Sequence, residues 1–299
     1  MANINIPWRI KIIAKIAMSR TPFGYALWQR LGLFRHGQMD NSDYAIRIFR
    51  SHLKNAGIVN PKGMTLLELG PGDSIATAII AAAYEAKPVL VDAGAFVRTD
   101  MLPYMNLVSA LSEEGLVPPD ISKCTSVHEI LIRCNAKYLT DGLKSLQQLE
   151  SGSVDLIFSQ AVLEHIRYDE FQDTMLECYR LLKENCHCSH QVDLRDHLSE
   201  GLNNLRFSRA LWETRLFSSA GFYTNRIRCD DMLEHFSQAG FQVLKCTMQR
   251  WNRLPINRKH LNSEFESKSD DELCISVFDV LLYKPAVTND VLAGNARSL

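Results

Sequence analysis

The sequence predicts an α/β protein built on a seven-stranded, mostly parallel sheet with helices on both faces and an antiparallel last strand. Three observations carry this. Short apolar runs alternate with stretches of helical periodicity, which favours strand–helix–strand units. One run, Met64–Asp73 (MTLLELGPGD), goes from apolar residues through Glu68 into Gly70-Pro71-Gly72 and then into the Ala/Ile-rich run Ile75–Ala83. That pattern is a buried strand, a tight turn open to close approach, and a helix start. Two late runs, Phe241–Thr247 and Cys274–Tyr283, have no obvious helix between them, so the final strand should run antiparallel.

The elements follow in order. Residues 1–39 hold six Lys or Arg and no acid. Ile6, Ile10, Ile13 and Ala17 share one helical face. Two readings of this helix stay open: docked on the main domain with solvated charges, or lying on an anionic membrane surface or near a lipid-linked substrate. His36–Asp43 has turn chemistry. An amphipathic helix over Tyr44–Ala56 follows, with Ile46, Phe49 and Leu53 on one side. Strands are expected at Pro88–Asp92, Asn135–Leu139, Ser151–Ser159 and Cys188–Asp193. Helices are expected near Met101–Glu114, Val127–Cys134, Tyr168–Lys183 and Asp230–Ala239, the last closed by Gly240. The domain plan is an N-terminal helical extension (1–57), a main domain (58–285) with insertions near 93–134 and 194–228, and a flexible tail (286–299).

Composition narrows the function. At 46% hydrophobic and 22% charged, 299 residues can bury a sizeable core. A net charge of −1 supplies no general attraction to nucleic acid, so no nucleic-acid partner is expected. The eight cysteines are scattered without a C-x-x-C pair, which suits a reducing, cytoplasmic location. No apolar run approaches the ~18 residues of a membrane span. Arg9, Lys11 and Lys15 interrupt any signal-peptide core.

In a doubly wound sheet, ligands sit at the carboxyl ends of the strands. Gly70 and Gly72 follow the first strand, and Asp92 closes the second at a spacing that suits ribose hydroxyls. Asp141 follows the third, and Ser159 and Gln160 end the fourth. This outlines a nucleoside site. Ile75 stands where a dinucleotide fingerprint needs a small residue, and Glu68 would repel a pyrophosphate but favour an amine.

These residues resemble the class I S-adenosylmethionine-dependent methyltransferases. Glu68-Leu69-Gly70-Pro71-Gly72 looks like their first motif, E/D-x-G-x-G. Val154-Asp155-Leu156-Ile157, Val162-Leu163-Glu164-His165-Ile166 and Tyr179-Arg180-Leu181-Leu182-Lys183 resemble segments of the methyltransferase type 11 group. Two departures stand out: Ser74 replaces a third glycine, and Glu184-Asn185-Cys186 replaces P-G-G. The resemblance implies a Rossmann-like fold, S-adenosylmethionine as cofactor, and Glu68, Gly70, Pro71, Gly72, Asp92, Asp141, Ser159 and Gln160 around it. It also implies a similarity to bacterial enzymes associated with surface polysaccharide assembly, and hence a small-molecule or glycan acceptor methylated on a sugar hydroxyl.

Methyl transfer to an alcohol needs a positioned base. The densest cluster of candidates follows the fifth strand: His190, Asp193 and His197, with His165 nearby. A metal held by His187, Cys188, His190, Asp193 and His197 competes, but their spacing matches no zinc pattern. In the segment 194–228, expected to be a lid, Tyr223, Asn225, Arg226 and Arg228 are candidate substrate groups, the arginines sharing a face and able to clamp a phosphate or carboxylate. The competing functions are a catalytically silent S-adenosylmethionine-binding module and a nicotinamide oxidoreductase.

Overall fold

The computed structural model describes residues 7–18 and 38–286. Ile6, the side chain of Ala17, the start of the His36–Asp43 turn and the tail 287–299 lie outside the described residues.

The sheet comprises β1 (Thr65–Leu69), β2 (Lys87–Val91), β3 (Lys137–Leu139), β4 (Val154–Gln160), β5 (Leu182–Asp193), β6 (Gln242–Arg250) and β7 (Ile275–Tyr283). Their spatial order is β3-β2-β1-β4-β5-β7-β6. The strands from β3 to β5 pair in parallel, and β7 runs antiparallel to both β5 and β6. The order reverses between β1 and β4, so the ligand crevice of such a sheet opens at their carboxyl ends.

The strands' period of two sorts their side chains into two cores. Leu67, Leu69, Ile157, Cys188 and Phe278 pack on one face with helices α7 (Phe171–Leu181) and α10 (Cys229–Gln238). Leu66, Leu90, Leu156 and Phe158 pack on the other, under α2 (Ser42–Asn55), α3 (Ala76–Ala83) and α4 (Leu102–Glu113). Helix α2 starts where the Asn41 side chain accepts the N–H of Tyr44. It buries Ile46, Phe49 and Leu53 as its periodicity requires. Each of these contributes about 2 kcal/mol of apolar burial. Ser74 does the work of the absent glycine differently: its Oγ accepts the N–H of Ala76 at the start of α3. Between β2 and β3 lie α4 and α5 (Val127–Arg133), and α6 (Leu143–Gln147) leads to β4.

Three expectations change. β5 starts directly after α7, six residues earlier than the apolar run indicates, and its register against β4 jumps between Val154 and Leu156. The irregular stretch around Asn185, at φ +61°, takes up the extra residues where P-G-G was missing. The stretch 194–228 is a packed layer rather than an open lid. It includes the short helices α8 (Arg209–Trp212) and α9 (Arg215–Ser218) around fully buried Trp212, whose Nε1–H donates to Thr224 O at 2.7 Å. Helix α1 (Trp8–Met18) docks on this layer through Trp8, Ile12 and Ile16. Ile10 and Ile13, of the face that the sequence groups together, are turned outward. No helix among the described residues is long and apolar enough to cross a membrane.

Two histidines are sealed in the sheet. His52 on α2 meets Ser189 Oγ through Nδ1 at 2.9 Å, and His190 meets Ser159 Oγ through Nδ1 at 2.8 Å. Neither Nε2 has a partner. Burial pushes His52 down to about 4 and His190 down to about 3, with the nearby His52 adding to the second shift. Both are neutral when folded and take a proton when unfolded. Their contribution to stability is present above the unfolded value near 6.5 and is lost as pH falls below it. The loss is about 1.4 kcal/mol per pH unit for each histidine. Chemical denaturation at pH 7, 6 and 5 should show this slope. His52→Gln and His190→Gln should each remove about half of it, whatever they do to stability at pH 7.

Candidate active site

The turn after β1 is built around two glycines in the left-handed region, Gly70 at φ +65° and Gly72 at φ +68°. A Cβ at Gly70 would come within 2.6 Å of both γ-carbons of Val162. Position 70 therefore excludes side chains for two reasons, backbone angle and space. The second reason lies in a loop ninety residues away. The Gly70 N–H donates to Val91 O at 2.8 Å, tying the turn to the end of β2.

Asp92 is the next fixed point. Its Oδ2 accepts the Gly72 N–H at 2.9 Å and its Oδ1 accepts the Ala93 N–H at 2.7 Å. Its main chain accepts from Gly142 and donates to Leu139 O. One residue thus joins the ends of β1, β2 and β3. The next helix begins ten residues later, so Asp92 is not a helix cap. Burial pushes its carboxyl up to about 6, against the two N–H donors that favour the charge. Asp141 is exposed beside Gly142, and its N–H donates to Ser145 Oγ.

Glu68 lies in β1 on the face of α3. It is buried, and its Oε2 has no partner. Burial raises its carboxyl to about 8; the Thr77 hydroxyl opposes the shift and the Asp92 charge adds to it. An orphaned buried carboxyl oxygen, a glycine turn without side chains and a ribose-spaced aspartate fit a nucleoside carrying an ammonium group.

The acceptor side forms where β4 and β5 end. Ala161 leaves β4 at φ +53°, unusual for a residue with a Cβ, and its N–H donates to Gln191 O. This kink aims Val162 at Gly70 and carries the chain into a short 3-10 turn, Leu163–His165. His165 Nδ1 lies 2.9 Å from Tyr223 O, so it carries the proton and donates. His165 Nε2 lies 3.1 Å from His197 Nε2, and the rings stack at 4.9 Å and 12°.

Tyr223 and Asn225 therefore act on the loop. Asn225 Nδ2 donates to Leu163 O and Ile166 O, and the Asn225 N–H donates to Glu164 O at 2.7 Å. Sequence reasoning underrated Glu164. Its side chain is buried, its Oε1 accepts the Asp193 N–H at 3.2 Å and its Oε2 has no partner. Burial raises this carboxyl well above the usual range. An acid inside the apolar Val162–Ile166 segment was the available signal.

Several candidates are placed elsewhere. His190 is 1% exposed beneath Phe236 of α10, on the sheet face and away from the crevice. Ser159 is committed to His190, and Gln160 to the Gln191 amide. Asp193 pairs with Arg195 through both carboxylate oxygens. Arg226 and Arg228 do not share an open face, because the positive φ of Arg226 breaks the extended alternation. Arg226 donates to Phe207 O, and Arg228, 1% exposed, donates to Leu194 O and Ile275 O. Both guanidiniums anchor backbone, and Arg226 also pairs with the Glu264 carboxylate. Behind this layer lies a cavity of about 430 Å³ lined by Tyr168, Arg226, His235 and Lys268 among others. The charges around it pair internally, Lys268 with Asp230 and Asp231, and Arg226 with Glu264. Among the described residues no cluster of His, Cys, Asp and Glu could hold a metal ion.

Strand order and the glycine turn define an α/β protein with a Rossmann-like, mostly parallel sheet whose last strand is antiparallel. Residues 120–189, from before α5 into β5, match the family model described as a methyltransferase domain. No curated protein matches the chain in sequence. Among solved structures the chain is similar to a Haemonchus contortus phosphoethanolamine N-methyltransferase 2 in complex with S-adenosyl-L-methionine. The identity is 14%, covering 80% of this chain and 53% of that one, with a TM-score of 0.45. The chain thus spans about half the length of that enzyme. It is also similar to the YcgJ protein of Bacillus subtilis (15% identity, 80% and 98% covered, TM-score 0.43). A third similarity is to an arsenic(III) S-adenosylmethionine methyltransferase of Chlamydomonas reinhardtii (15% identity, 77% and 66% covered, TM-score 0.39).

Two outcomes test this geometry. Gly70→Ala should destabilise the fold by about 2 kcal/mol, from the left-handed backbone and the clash. Adding Val162→Ala should restore part of that loss in a denaturation double-mutant cycle. Burial raises the Glu68 carboxyl to about 8, and an ammonium-bearing ligand would stabilise its anion. Ligand binding should therefore release a proton and tighten as pH rises from 6 toward 8, measured by calorimetry in buffers of different ionisation enthalpy. Glu68→Gln should abolish the proton release.

Proposed function

We propose that the protein is an S-adenosylmethionine-dependent methyltransferase that methylates a hydroxyl group of a small molecule or glycan. The observation that carries this reading is the His165–His197 imidazole pair, held beside a glycine turn and a ribose-spaced aspartate by the Val162–Gly70 contact. Glu68 meets the ammonium of the cofactor, Gly70 and Gly72 admit its amino-acid end, Asp92 takes the ribose hydroxyls, and Asp141 lines the rim toward the base. When bound, the cofactor supplies an electrophilic methyl group on a sulfonium.

The chain's own residues do the rest. Tyr223 O fixes the tautomer of His165 by accepting its Nδ1 proton. The hydroxyl proton moves to the imidazole pair as the oxygen attacks the methyl group. Asn225 and Glu164 hold the loop, so the base does not drift from the reacting atom. A sugar hydroxyl suits this chemistry, because it is too weak an acid to react without a base.

Incubation with S-adenosylmethionine and a panel of hydroxylated acceptors should release S-adenosylhomocysteine. Tight cofactor binding with no release on any acceptor would overturn the reading. His165→Ala and His197→Ala should each lower kcat about tenfold or more with donor affinity unchanged. Asp92→Ala should weaken donor affinity at least about tenfold.

A further inference from the structure

Helix α1 has two apolar faces. Trp8, Ile12 and Ile16 pack on the layer around Trp212. Ile10 and Ile13 lie on the opposite side, 55% and 69% exposed. Two large β-branched side chains one turn apart on a solvent-facing helix are costly for a protein that keeps that face in water. They are also what an in-plane interfacial helix presents to acyl chains.

Basic groups flank the Trp8 end of this helix. The Trp8 ring lies 5.3 Å from the Arg9 guanidinium and 5.2 Å from that of Arg206. Arg206, Lys259 and Arg9 all lie within electrostatic reach of His260. The acid whose field reaches Lys15 and Arg206 is Asp196. Its carboxylate is buried and taken up by the N–H groups of Leu198, Ser199 and Asn203. Arg9, Arg206, Lys259 and His260 thus form a basic cluster at the Trp8 end of α1, which is the complement of an anionic lipid surface.

We propose that the outward face of α1, with the flanking Arg9, Arg206, Lys259 and His260, docks the protein on an anionic lipid surface. Helix α1 lies in the interface plane, with Ile10 and Ile13 among the acyl chains and the basic groups at the headgroups. Its inner side touches the acceptor end of the crevice, where Lys15 Nζ donates to His197 O at 3.0 Å. Docking would therefore bring an amphiphilic acceptor's headgroup to the imidazole pair. That last consequence rests on the methyltransferase reading; the docking itself does not.

The test is sedimentation of the full chain with phosphatidylcholine vesicles, with and without about one third phosphatidylglycerol, and with no cofactor or acceptor present. The protein should pellet with the anionic vesicles, stay in solution with the neutral ones, and be released by high salt. Ile10→Glu with Ile13→Glu should lower the bound fraction about tenfold at an unchanged melting temperature, and Arg9→Glu should lower it less. No pelleting with anionic vesicles, equal pelleting with neutral ones, or an unaffected double variant overturns the proposal. A lowered melting temperature would mean that the chain itself covers the face. Conversion of a dimer to a monomer in sedimentation velocity would mean that a second copy does. Either result overturns it too.

Discussion

The approach of Val162 to Gly70 is the constraint on which the rest of the crevice depends. A hydrogen at position 70 lets the loop after β4 sit directly on the turn after β1, and any larger group would force the two apart. Once they touch, the other positions follow. Ala161 adopts its left-handed angle to deliver Val162, and His165 arrives three residues later at the mouth of the crevice. Asp92 closes the other side by holding the Gly72 N–H and the Gly142 N–H from adjacent strand ends. The turn after β1, the loop after β4 and Asp92 are thus one mechanical unit. Strain at Ala161 is tolerated because packing and the bond to Gln191 O hold it in place.

Behind this unit lies an unusual amount of buried polarity. Arg226 and Arg228 give their protons mostly to main-chain carbonyls, and Asp196 takes its protons mostly from main-chain amides. Such charge-assisted bonds fix irregular backbone that has no ladder of its own. They explain how 194–228 stays ordered with only short helices. Glu68 and Glu164 each keep one carboxyl oxygen without a partner, as Arg226 and Arg228 each keep an unpartnered Nε. Glu68 sits at the glycine turn and Glu164 in the acceptor loop. Burial without a full set of partners raises both acids, which makes their protonation responsive to whatever charge arrives.

Much of the fold was legible because its signals are local. The run into Gly70-Pro71-Gly72, the periodicity of α2 and the β-branched run of β7 each declare an element within about ten residues. The acids after β1, β2 and β3 were legible too, since strand ends converge in any sheet of this order. The longer β5 was hidden because Lys183–His187 is not apolar; pairing with β4 and β7 forms it, not propensity. The roles of Arg226 and Arg228 were hidden because alternation assumed a φ that Arg226 does not have. Which face of α1 turns outward was hidden for a related reason. A helix apolar on two sides cannot tell from its own sequence which side will find a partner.

The sequence by itself determined the strand–turn–helix unit, the acids at the strand ends and the histidines available for chemistry, because these follow from residue type and spacing along the chain. Only the tertiary structure decided which histidines meet. His165 and His197 stack at the crevice, while His190, seven residues from His197, is sealed under Phe236. The physical reason is that exposure and hydrogen bonding are set by contacts between segments far apart in the chain. In this protein those contacts turn on a single hydrogen at Gly70.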